Sequence, residues 1–477
     1  MESAVEHDQS TLNPTIRKAP SHLDSRLGMF AYALPCVAVS TAMPAVTAIL
    51  PTLYAKHTGV GIAAIGALFG LMRIFDAVSD PLIGYWSDQT RTRHGARKPW
   101  VIAGALLATI ACFFLFQIPQ DADIWFFGIW SALFYLGFTM YQVPHMAWGS
   151  ELTTDYQQRA GLFAYRSIAE TIGGIVLPVL PLALYWQGVL PDTEFTPDAF
   201  RYLGWAILLA LPLTVAVTAK WAPVGDVAEI HRTPLRTLWS STLANKPLLR
   251  FLAAFLVSGA GSGIYAALLY PYYDTYLHVG DKVPYLFIAA MVMQLVSQPF
   301  WAWACKKLGK HRCWGWGWIL NSLSSVPMML VTPGEGAYFW SMVLMGVYAF
   351  TNGVSSVAPF ALLADVVDYE ILKRRVDRAG NYYAFLLFLG KATGAVGGGV
   401  FAFLGVFFGY QVAEGAVNTA HANFGMVASF ALLPCLFQLA AVPLIWNFPI
   451  DQRAHDIIRK RVEQREARQA RVATAAA

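Results

Sequence analysis

Charged residues are scarce in this sequence. Asp, Glu, Lys and Arg make up 13% of the 477 residues, whereas soluble globular domains carry about 25%. Hydrophobic residues reach 56% and aromatic residues 14%. A chain with so few charges cannot cover itself with the polar surface of a water-soluble domain. The composition therefore predicts an all-α membrane protein that crosses the bilayer many times.

Motifs for covalent or metal chemistry are also missing. The five cysteines form no CxxC pair and no His-linked metal spacing; they are Cys36, Cys112, Cys305, Cys313 and Cys435. No nucleophile or phosphate-binding motif stands out, so we predict neither an enzyme nor a cofactor other than a coupling ion. The net charge of +5 comes from basic residues spread over short connections, which predicts no nucleic-acid partner.

The first 27 residues lack the pattern of a cleaved signal peptide. They are polar, contain Pro14 and Pro20, and include no apolar core followed by a small-residue cleavage site. We therefore expect a cytoplasmic tail over residues 1–27 and an uncleaved first helix.

Apolar segments long enough to span a bilayer recur about twelve times. They cover 28–54, 61–87, 100–118, 124–149, 160–187, 202–222, 249–276, 283–305, 314–332, 337–364, 381–408 and 422–447. With the N-terminus inside, 28 of the 34 Lys and Arg residues fall on the inner side, and the outer loops hold Lys56, Arg201 and Lys282. This asymmetry predicts that both termini are cytoplasmic.

Two anchors indicate an internal repeat. Pro81 and Pro299 lie 218 residues apart, each ahead of a basic loop, and the Arg-Ala-Gly runs that begin at Arg159 and Arg378 lie 219 apart. Two six-helix halves with a binding site between them are the plan of many secondary transporters. The predicted organisation is a tail 1–27, a first bundle 28–222, a central loop 223–247, a second bundle 248–447 and a basic tail 448–477.

Three ionisable residues fall near the middle of the second span. Arg73, Asp76 and Asp80 are three and four residues apart, which places them on one helical face. Charges at that depth are costly and in general mark ion pathways. Two interpretations stand: a site for a cation or proton, or a structural network in which Arg73 neutralises one carboxylate and the other is protonated.

Two further basic residues lie within spans. Arg166 has Glu170 one turn away, so an intrahelical ion pair and a contact with substrate are both open. Lys391 has no acid one turn away, so its partner should come from another helix, which favours a cavity role. His145 follows Pro144 and is either a proton-linked group near the cavity or a neutral histidine that donates to a backbone carbonyl freed by Pro144.

Charged residues at the cytoplasmic ends of the spans suggest gates. Asp88 and Arg97 flank the basic loop after the second span, and Asp365 and Asp368 end an acidic segment of the second half. They could pair and separate as the halves move. The alternative is that the basic residues serve only as positive-inside anchors.

Several of these residues resemble a known family. The resemblance rests on the run Arg73, Asp76, Ser79, Asp80, Pro81 and Gly84, on the loop Thr90–Trp100, and on Asp365, Asp368, Tyr369 and Glu370 with Lys391 downstream. Together they are similar to the glycoside-pentoside-hexuronide:cation symporters, relatives of melibiose permease in the major facilitator superfamily. The resemblance implies the major facilitator fold, and it runs from about Gly28 to Pro449.

The resemblance also implies roles for single residues. Asp76 and Asp80 would bind the coupling cation, H⁺ or Na⁺, with help from Ser79 and Thr139. Further side chains would line the place where solute and cation meet, namely Arg166 and Lys391. Arg73 would be an electrostatic companion of the acids.

The substrate clamp of the galactoside-transporting members is absent. Gln142 stands where their fourth helix carries an acid, and the first helix lacks an acid after Tyr32. We therefore expect Gln142 and His145 to be among the substrate-binding residues and a cargo other than melibiose. Losing the acid at Gln142 favours protons slightly over Na⁺.

The predicted function is cation-coupled symport of a sugar, glycoside or related small polar solute by alternating access. The chain would act as a monomer in the plasma membrane, the inner membrane in a bacterium. One alternative cargo is an amphipathic lipid or glycosylated metabolite. A second alternative is a membrane sensor that transports nothing, supported only by the basic tail.

Overall fold

The computed structural model describes residues 26–93, 95–152, 156–223, 245–374 and 379–452, together with residues 454, 455, 457, 458, 460, 461 and 464. Every regular element in these residues is helical. Most of the predicted tail 1–27, central loop 223–247 and tail 448–477 lies outside the described residues.

Twelve helices follow one another along the chain. They are α1 (Leu27–His57), α2 (Ile62–Gln89), α3 (Lys98–Gln117), α4 (Ile124–Glu151), α5 (Tyr156–Trp186), α6 (Pro197–Trp221), α7 (Lys246–Pro271), α8 (Val283–Leu308), α9 (Lys310–Ser325), α10 (Ala337–Lys373), α11 (Ala379–Phe407) and α12 (Ala420–Trp446). The predicted all-α fold with about twelve spans is confirmed.

The ninth helix differs from its prediction. Eleven helices in the described residues are long and apolar enough to cross a membrane, and α9 is not among them. It begins at Lys310, four residues before the predicted start, because Gly309 adopts a φ of 83° and separates it from α8. It has 16 α-helical residues and continues as a 3-10 turn over Val326–Leu330.

Prolines interrupt the helices that begin each half. In α1, Pro44 precedes a π-helical turn, Ala45–Ile49. In α7, Pro271 likewise precedes a π-helical turn, Tyr272–Tyr276. Proline lacks an N–H and cannot complete the regular hydrogen-bond ladder, so these turns are where α1 and α7 depart from a straight helix.

The packing of the helices repeats after six. In the first half, α1 packs on α5, α2 on α4, and α3 on both α4 and α6. In the second half, α7 packs on α11, α8 on α10, and α9 on both α10 and α12. The two six-helix pseudo-repeats expected from the sequence are confirmed. The halves meet where α2 packs on α11 and where α5 packs on α8.

Small residues let α2 and α11 approach closely. A methyl group at Gly398 would lie 2.6 Å from the backbone nitrogen of Gly70 and 3.0 Å from the carbonyl oxygen of Gly66. Gly66 in turn faces the backbone of Ala402. Glycines spaced in this way allow backbone contact between membrane helices. The contact continues along both helices to Arg73, which lies against Gly394.

The bundle has two ends that differ in how the halves touch. The Lys56 end carries the short connection 58–61 between α1 and α2. There the halves are joined by a hydrogen bond from the Glu414 backbone N–H to the Lys56 carbonyl oxygen (3.3 Å) and by one from the Tyr270 hydroxyl to the Phe195 carbonyl oxygen (3.1 Å). The structure is therefore closed at the Lys56 end.

Substituting Gly398 tests the close contact between α2 and α11. We expect Gly398→Ala to lower the thermal midpoint of the detergent-purified protein, because overpacking a tight contact costs about 1–3 kcal/mol. Gly399→Ala is the matched control, since no atom of another helix lies within 4 Å of the position of its added methyl group. Its midpoint should stay level or rise slightly, because Ala favours helix over Gly by about 1 kcal/mol. Equal losses in both variants would contradict the argument.

Candidate functional site

Two carboxylates of α2 converge on one hydroxyl of α4. The Thr139 hydroxyl lies 2.9 Å from Oδ1 of Asp76 and 3.0 Å from Oδ1 of Asp80. Asp76 is fully buried, and 21% of the Asp80 side chain is exposed. The four-residue spacing on one helix face brings the carboxylates together, as the sequence predicts. We call Asp76, Asp80 and Thr139 the carboxylate site.

Lys391 of α11 supplies the positive charge of this site. Its ammonium lies 3.1 Å from Oδ1 of Asp76, 2.9 Å from Oδ1 of Asp80 and 2.7 Å from Oδ2 of Asp80. The partners come from another helix, as expected from the absence of an acid one turn away. One ammonium can donate three hydrogen bonds, so it contacts both carboxylates at once. The contact joins the two halves midway along α2.

The carboxylate site still has spare acceptor capacity. Oδ2 of Asp76 is buried and forms no hydrogen bond with the described residues. Ser79 does not fill it, because the Ser79 hydroxyl donates to the backbone carbonyl of Asp76 at 3.0 Å. A buried carboxylate oxygen without a donor is costly, so it is a natural place for a proton or a cation.

Arg73 lies one turn from the carboxylates but does not provide their counter-charge. Its guanidinium lies over the rings of Phe69 and Tyr135, 5.2 and 5.5 Å from their centroids. Its Nε atom is buried and has no hydrogen-bond partner in the described part of the chain. The geometry therefore does not match the network in which Arg73 neutralises one Asp, since Lys391 takes that place.

His145 belongs to a separate buried cluster between α1, α4 and α5. Its ring stacks on Tyr32 with a centroid distance of 4.1 Å and on Tyr141 at 5.0 Å. Its Nε2 lies 2.9 Å from the Tyr32 carbonyl oxygen, and its Nδ1 lies 3.4 Å from a nitrogen of Arg166. Arg166 can only donate, so Nδ1 accepts and Nε2 carries the proton. His145 is thus a neutral histidine bonded to a backbone carbonyl, but the carbonyl belongs to Tyr32 of α1 and is not one freed by Pro144.

Arg166 forms the intrahelical ion pair that its sequence spacing offers, and it also contacts His145. Its Nε lies 2.8 Å from Oε1 of Glu170, which is the intrahelical pair. Its side chain is 9% exposed, whereas that of Glu170 is 42% exposed. Gln142 is half-buried on α4, three residues from both Thr139 and His145. Gln142 therefore lies between the carboxylate site and the histidine cluster.

Aromatic side chains of α4 complete the surroundings of the carboxylate site. Tyr135 lies under Arg73, and the Lys391 ammonium lies 5.8 Å from the centroid of Phe138. Tyr135 lies three residues before Phe138 and four before Thr139, so all three lie on one side of α4. Phe138 was not among the predicted site residues, although its spacing of four from Gln142 was the available signal.

Ion pairs at the Arg97 end, where α3 begins, lie within each half. Arg97 contacts Asp88 at 2.5 Å and Glu151 at 2.8 Å. Glu151 lies just beyond the membrane-length segment Ile124–Gly149, and burial raises the pKa of its carboxyl while Arg97 opposes that rise. Glu151 is thus a partner that the predicted gate residues did not include.

The second half repeats this arrangement with other residues. Lys310, at the start of α9, lies 2.6 Å from Asp365 of α10. His455 lies 3.0 Å from the same carboxylate. Asp368, the other acid predicted there, is half-buried. In each half, a basic residue at the start of the third helix thus holds an acid of the fourth.

One charged cluster was absent from the predicted site residues altogether. At the Lys56 end, Lys56 lies 2.7 Å from Glu194 and 3.1 Å from Asp274. These residues are separated by 138 and 218 positions along the chain. The available signal was that Lys56 is one of three basic residues assigned to outer loops.

Comparison with known proteins places the chain in a family. The family model described as MFS/sugar transport protein matches residues 31–452. The chain belongs to this family. It is therefore a major facilitator transporter rather than an enzyme, and an integral multi-pass protein of the plasma membrane.

Relatives match along nearly their whole length. The glucuronide carrier protein homolog of Escherichia coli is 26% identical, with 91% of this chain and 96% of the relative covered. The isoprimeverose transporter of Lactiplantibacillus pentosus is 22% identical, with 94% of each chain covered. A sodium-dependent lysophosphatidylcholine symporter of Danio rerio is 20% identical, with 82% of this chain and 79% of the relative covered.

Solved structures share the fold. A peptide transporter POT has a TM-score of 0.62 at 15% identity, covering 88% of this chain and 94% of its own. The nucleoside transporter NupG has the same TM-score at 13% identity, covering 88% and 99%. The arrangement of helices is therefore that of other transporters of the superfamily.

Removing Lys391 tests its role as counter-charge. We expect Lys391→Ala to reduce stability by up to about 3–5 kcal/mol, because a buried and a partly buried carboxylate lose their partner. Thermal midpoints of the purified protein measure the effect.

Lys307→Ala is the control for this measurement. Lys307 is an exposed lysine whose ammonium lies 5.0 Å from the centroid of the Trp303 ring, outside the carboxylate site. Its replacement should change the midpoint little. A loss in Lys391→Ala no larger than in Lys307→Ala would contradict the assignment of Lys391 as the counter-charge.

Proposed function

We propose that the chain couples the transport of a glycoside or related small polar solute to a cation at the carboxylate site, by alternating access. The observation that carries this proposal is the Lys391 ammonium between Asp76 and Asp80. It joins the two halves through charges that a coupling ion can compete for. The named functions of the sugar-transporting relatives support the same class of solute.

The coupling ion acts by competing with Lys391. A proton or cation on Asp76 or Asp80 removes negative charge that Lys391 otherwise balances. The link between α2 and α11 is then weaker, and the ammonium of Lys391 can turn to a solute. Because the effect is a binding equilibrium, solute that holds Lys391 away must raise the affinity for the ion by the same factor.

We propose H⁺ as the coupling ion, with Na⁺ as the alternative. A proton neutralises one carboxylate oxygen and needs no set of ligands around it. Asp76 offers the buried Oδ2 for this purpose. A sodium ion would need several oxygens at once, and Gln142 replaces one acid of the galactoside-transporting members. The carboxylates and Thr139 supply the oxygens that Na⁺ would use.

The solute site lies beside the carboxylate site. Gln142 is half-buried on the face of α4 that carries Thr139, and its amide can both donate and accept hydrogen bonds to sugar hydroxyls. Arg166 is held by Glu170 and His145, so it is oriented before a solute arrives. Because Gln142 replaces an acid and no acid follows Tyr32 on the first helix, the cargo differs from that of the galactoside transporters.

Orientation follows from the basic residues. The Arg97 end carries the basic loops, so we propose that it faces the cytoplasm and that both termini lie there. The Lys56 end then faces outward, and the structure is closed on that side. Transport inward requires a second state in which α2 and α11 separate at the Lys56 end.

An amphipathic lipid is the second candidate cargo. The lysophosphatidylcholine symporters of Danio rerio and Xenopus tropicalis align with 82% and 80% of this chain. Proteoliposome uptake assays with labelled glycosides and with a labelled lysolipid separate the two classes. Accumulation of lysolipid alone would overturn the glycoside assignment.

The carboxylates are tested by gradient-driven uptake. We expect Asp76→Asn and Asp80→Asn each to abolish accumulation in proteoliposomes, because the variant site no longer binds the ion. A panel of glycosides is offered under a pH gradient alone and then under a Na⁺ gradient alone. Accumulation under the pH gradient supports H⁺, and accumulation under the Na⁺ gradient alone replaces H⁺ by Na⁺.

Asp198→Asn is the matched control. Asp198 pairs with Arg201 on α6, and its side chain is 66% exposed. This variant should accumulate solute as the native protein does. If Asp76→Asn and Asp80→Asn both still concentrate solute against a gradient, the carboxylate site is not the coupling site.

A further inference from the structure

A triad of charges lies between the halves at the Lys56 end. The Lys56 ammonium lies 2.7 Å from Oε1 of Glu194 and 3.1 Å from both carboxylate oxygens of Asp274. Lys56 is in the last turn of α1, Glu194 is in the connection between α5 and α6, and Asp274 is in the π-helical turn after α7. One lysine of the first half thus binds an acid of each half.

The triad is poorly solvated. The exposed fractions of the side chains are 15% for Lys56, 25% for Glu194 and 2% for Asp274. Ion pairs in such surroundings are screened less than surface pairs. Removal of one partner leaves a charge with little water to stabilise it, so the state in which the triad forms depends on all three members.

Two members of the triad hold related positions in the two repeats. Lys56 and Asp274 are 218 residues apart, the same separation as the repeat anchors Pro81 and Pro299. They therefore occupy related positions at the ends of the first helix of each half. The Lys56–Asp274 contact thus joins the same place in the two repeats.

Neighbouring contacts at this end also cross between the halves. His57 lies 3.6 Å from Glu414, and the Thr193 hydroxyl donates to the Asp281 carbonyl oxygen. Gly280 lies against the Glu194 and Asp274 side chains, where a methyl group would lie 3.1 Å from Cδ of Glu194. The contacts that cross between the halves must break if the Lys56 end opens, whereas Gly280 and Asp274 belong to the same half.

We propose that Lys56, Glu194 and Asp274 form the gate that holds the Lys56 end shut. This inference rests on the alternating access of the proposed function. Lys56 is the essential member because the triad has two carboxylates and one lysine. Without Lys56, two carboxylates of opposite halves face each other and repel, whereas loss of Asp274 removes the attraction and the repulsion between the halves together.

Cysteine accessibility measures whether the end opens. Thr52 lies one turn before Lys56 on the same face of α1, is fully buried, and its hydroxyl has no hydrogen-bond partner in the described residues. A Thr52→Cys reporter is placed in a background in which the five native cysteines are replaced. The rate of labelling by a membrane-impermeant maleimide then reports opening, without any substrate or ion gradient.

The variants should follow an order that only a charge gate predicts. Lys56→Gln should raise the labelling rate at least about tenfold, since a partly buried pair contributes more than an exposed one. Asp274→Asn should raise it less than Lys56→Gln does. Glu194→Gln should not raise it, because Lys56 still pairs with Asp274 across the halves. Lys56→Asp combined with Asp274→Lys should restore slow labelling, because the exchanged charges still leave one lysine between two acids.

Lys282→Gln is the matched control at the same end. Lys282 pairs with Asp281 at 2.7 Å, and both side chains are more than two-fifths exposed. Its labelling rate should stay within about twofold of the native rate, as for an exposed pair. Thermal midpoints and gel filtration identify a variant that is misfolded, and in that case the charge-exchanged double variant decides the question.

Three results would overturn the proposal. The first is slow labelling in Lys56→Gln, and the second is opening by Asp274→Asn as large as by Lys56→Gln. The third is fast labelling in the charge-exchanged variant. None of these depends on Asp76 or Asp80, so failure of the gate and failure of the coupling site can be told apart.

Discussion

The structure depends on one lysine held between two carboxylates in the middle of the membrane-spanning bundle. Lys391 of α11 contacts Asp76 and Asp80 of α2 within 3.1 Å, and no other contact of this kind crosses between the halves at that depth among the described residues. Charges at mid-depth are costly unless paired. The pair therefore favours any arrangement that keeps α2 and α11 together, and a ligand that replaces one partner removes that preference.

The glycine contacts are what make this pairing geometrically feasible. Between the Lys56 end and Lys391, α2 and α11 approach until backbone touches backbone at Gly66, Gly70 and Gly398. Larger side chains would push the helices apart and lengthen the distance from Lys391 to the acids. Packing and electrostatics thus act on the same two helices, and a change in either one shifts the balance between states.

The fold was largely predictable from the sequence because membrane helices leave a strong signal. Twelve spans and two repeats followed from apolar length and from paired motifs, and the error lay in α9, whose first turn is the basic run Lys310–Arg312. A hydropathy pattern excludes charged residues from a span, so it moved the start of this helix to residue 314. Only the left-handed Gly309 marks the true boundary.

The site was predictable in part. Asp76, Asp80 and Thr139 do converge, and Lys391 finds its partners on another helix. Arg73 lies over aromatic rings, an arrangement that neither interpretation included. His145 is the neutral histidine of its two interpretations, and its ring is buried against Tyr32. Helical periodicity predicts which residues share a face, but it does not predict which neighbouring helix that face meets.

The sequence by itself determined the membrane class, the helices, the repeat and the two carboxylates on one face of α2. These follow from local composition and spacing. The tertiary structure decided the partners: Lys391 lies 315 residues from Asp76, and Lys56 lies 218 from Asp274. A charged residue within a predicted span indicates that a partner must exist, because an unpaired charge in the bilayer is costly. Which residue becomes the partner depends on how the two halves pack, and a local sequence pattern does not predict that packing.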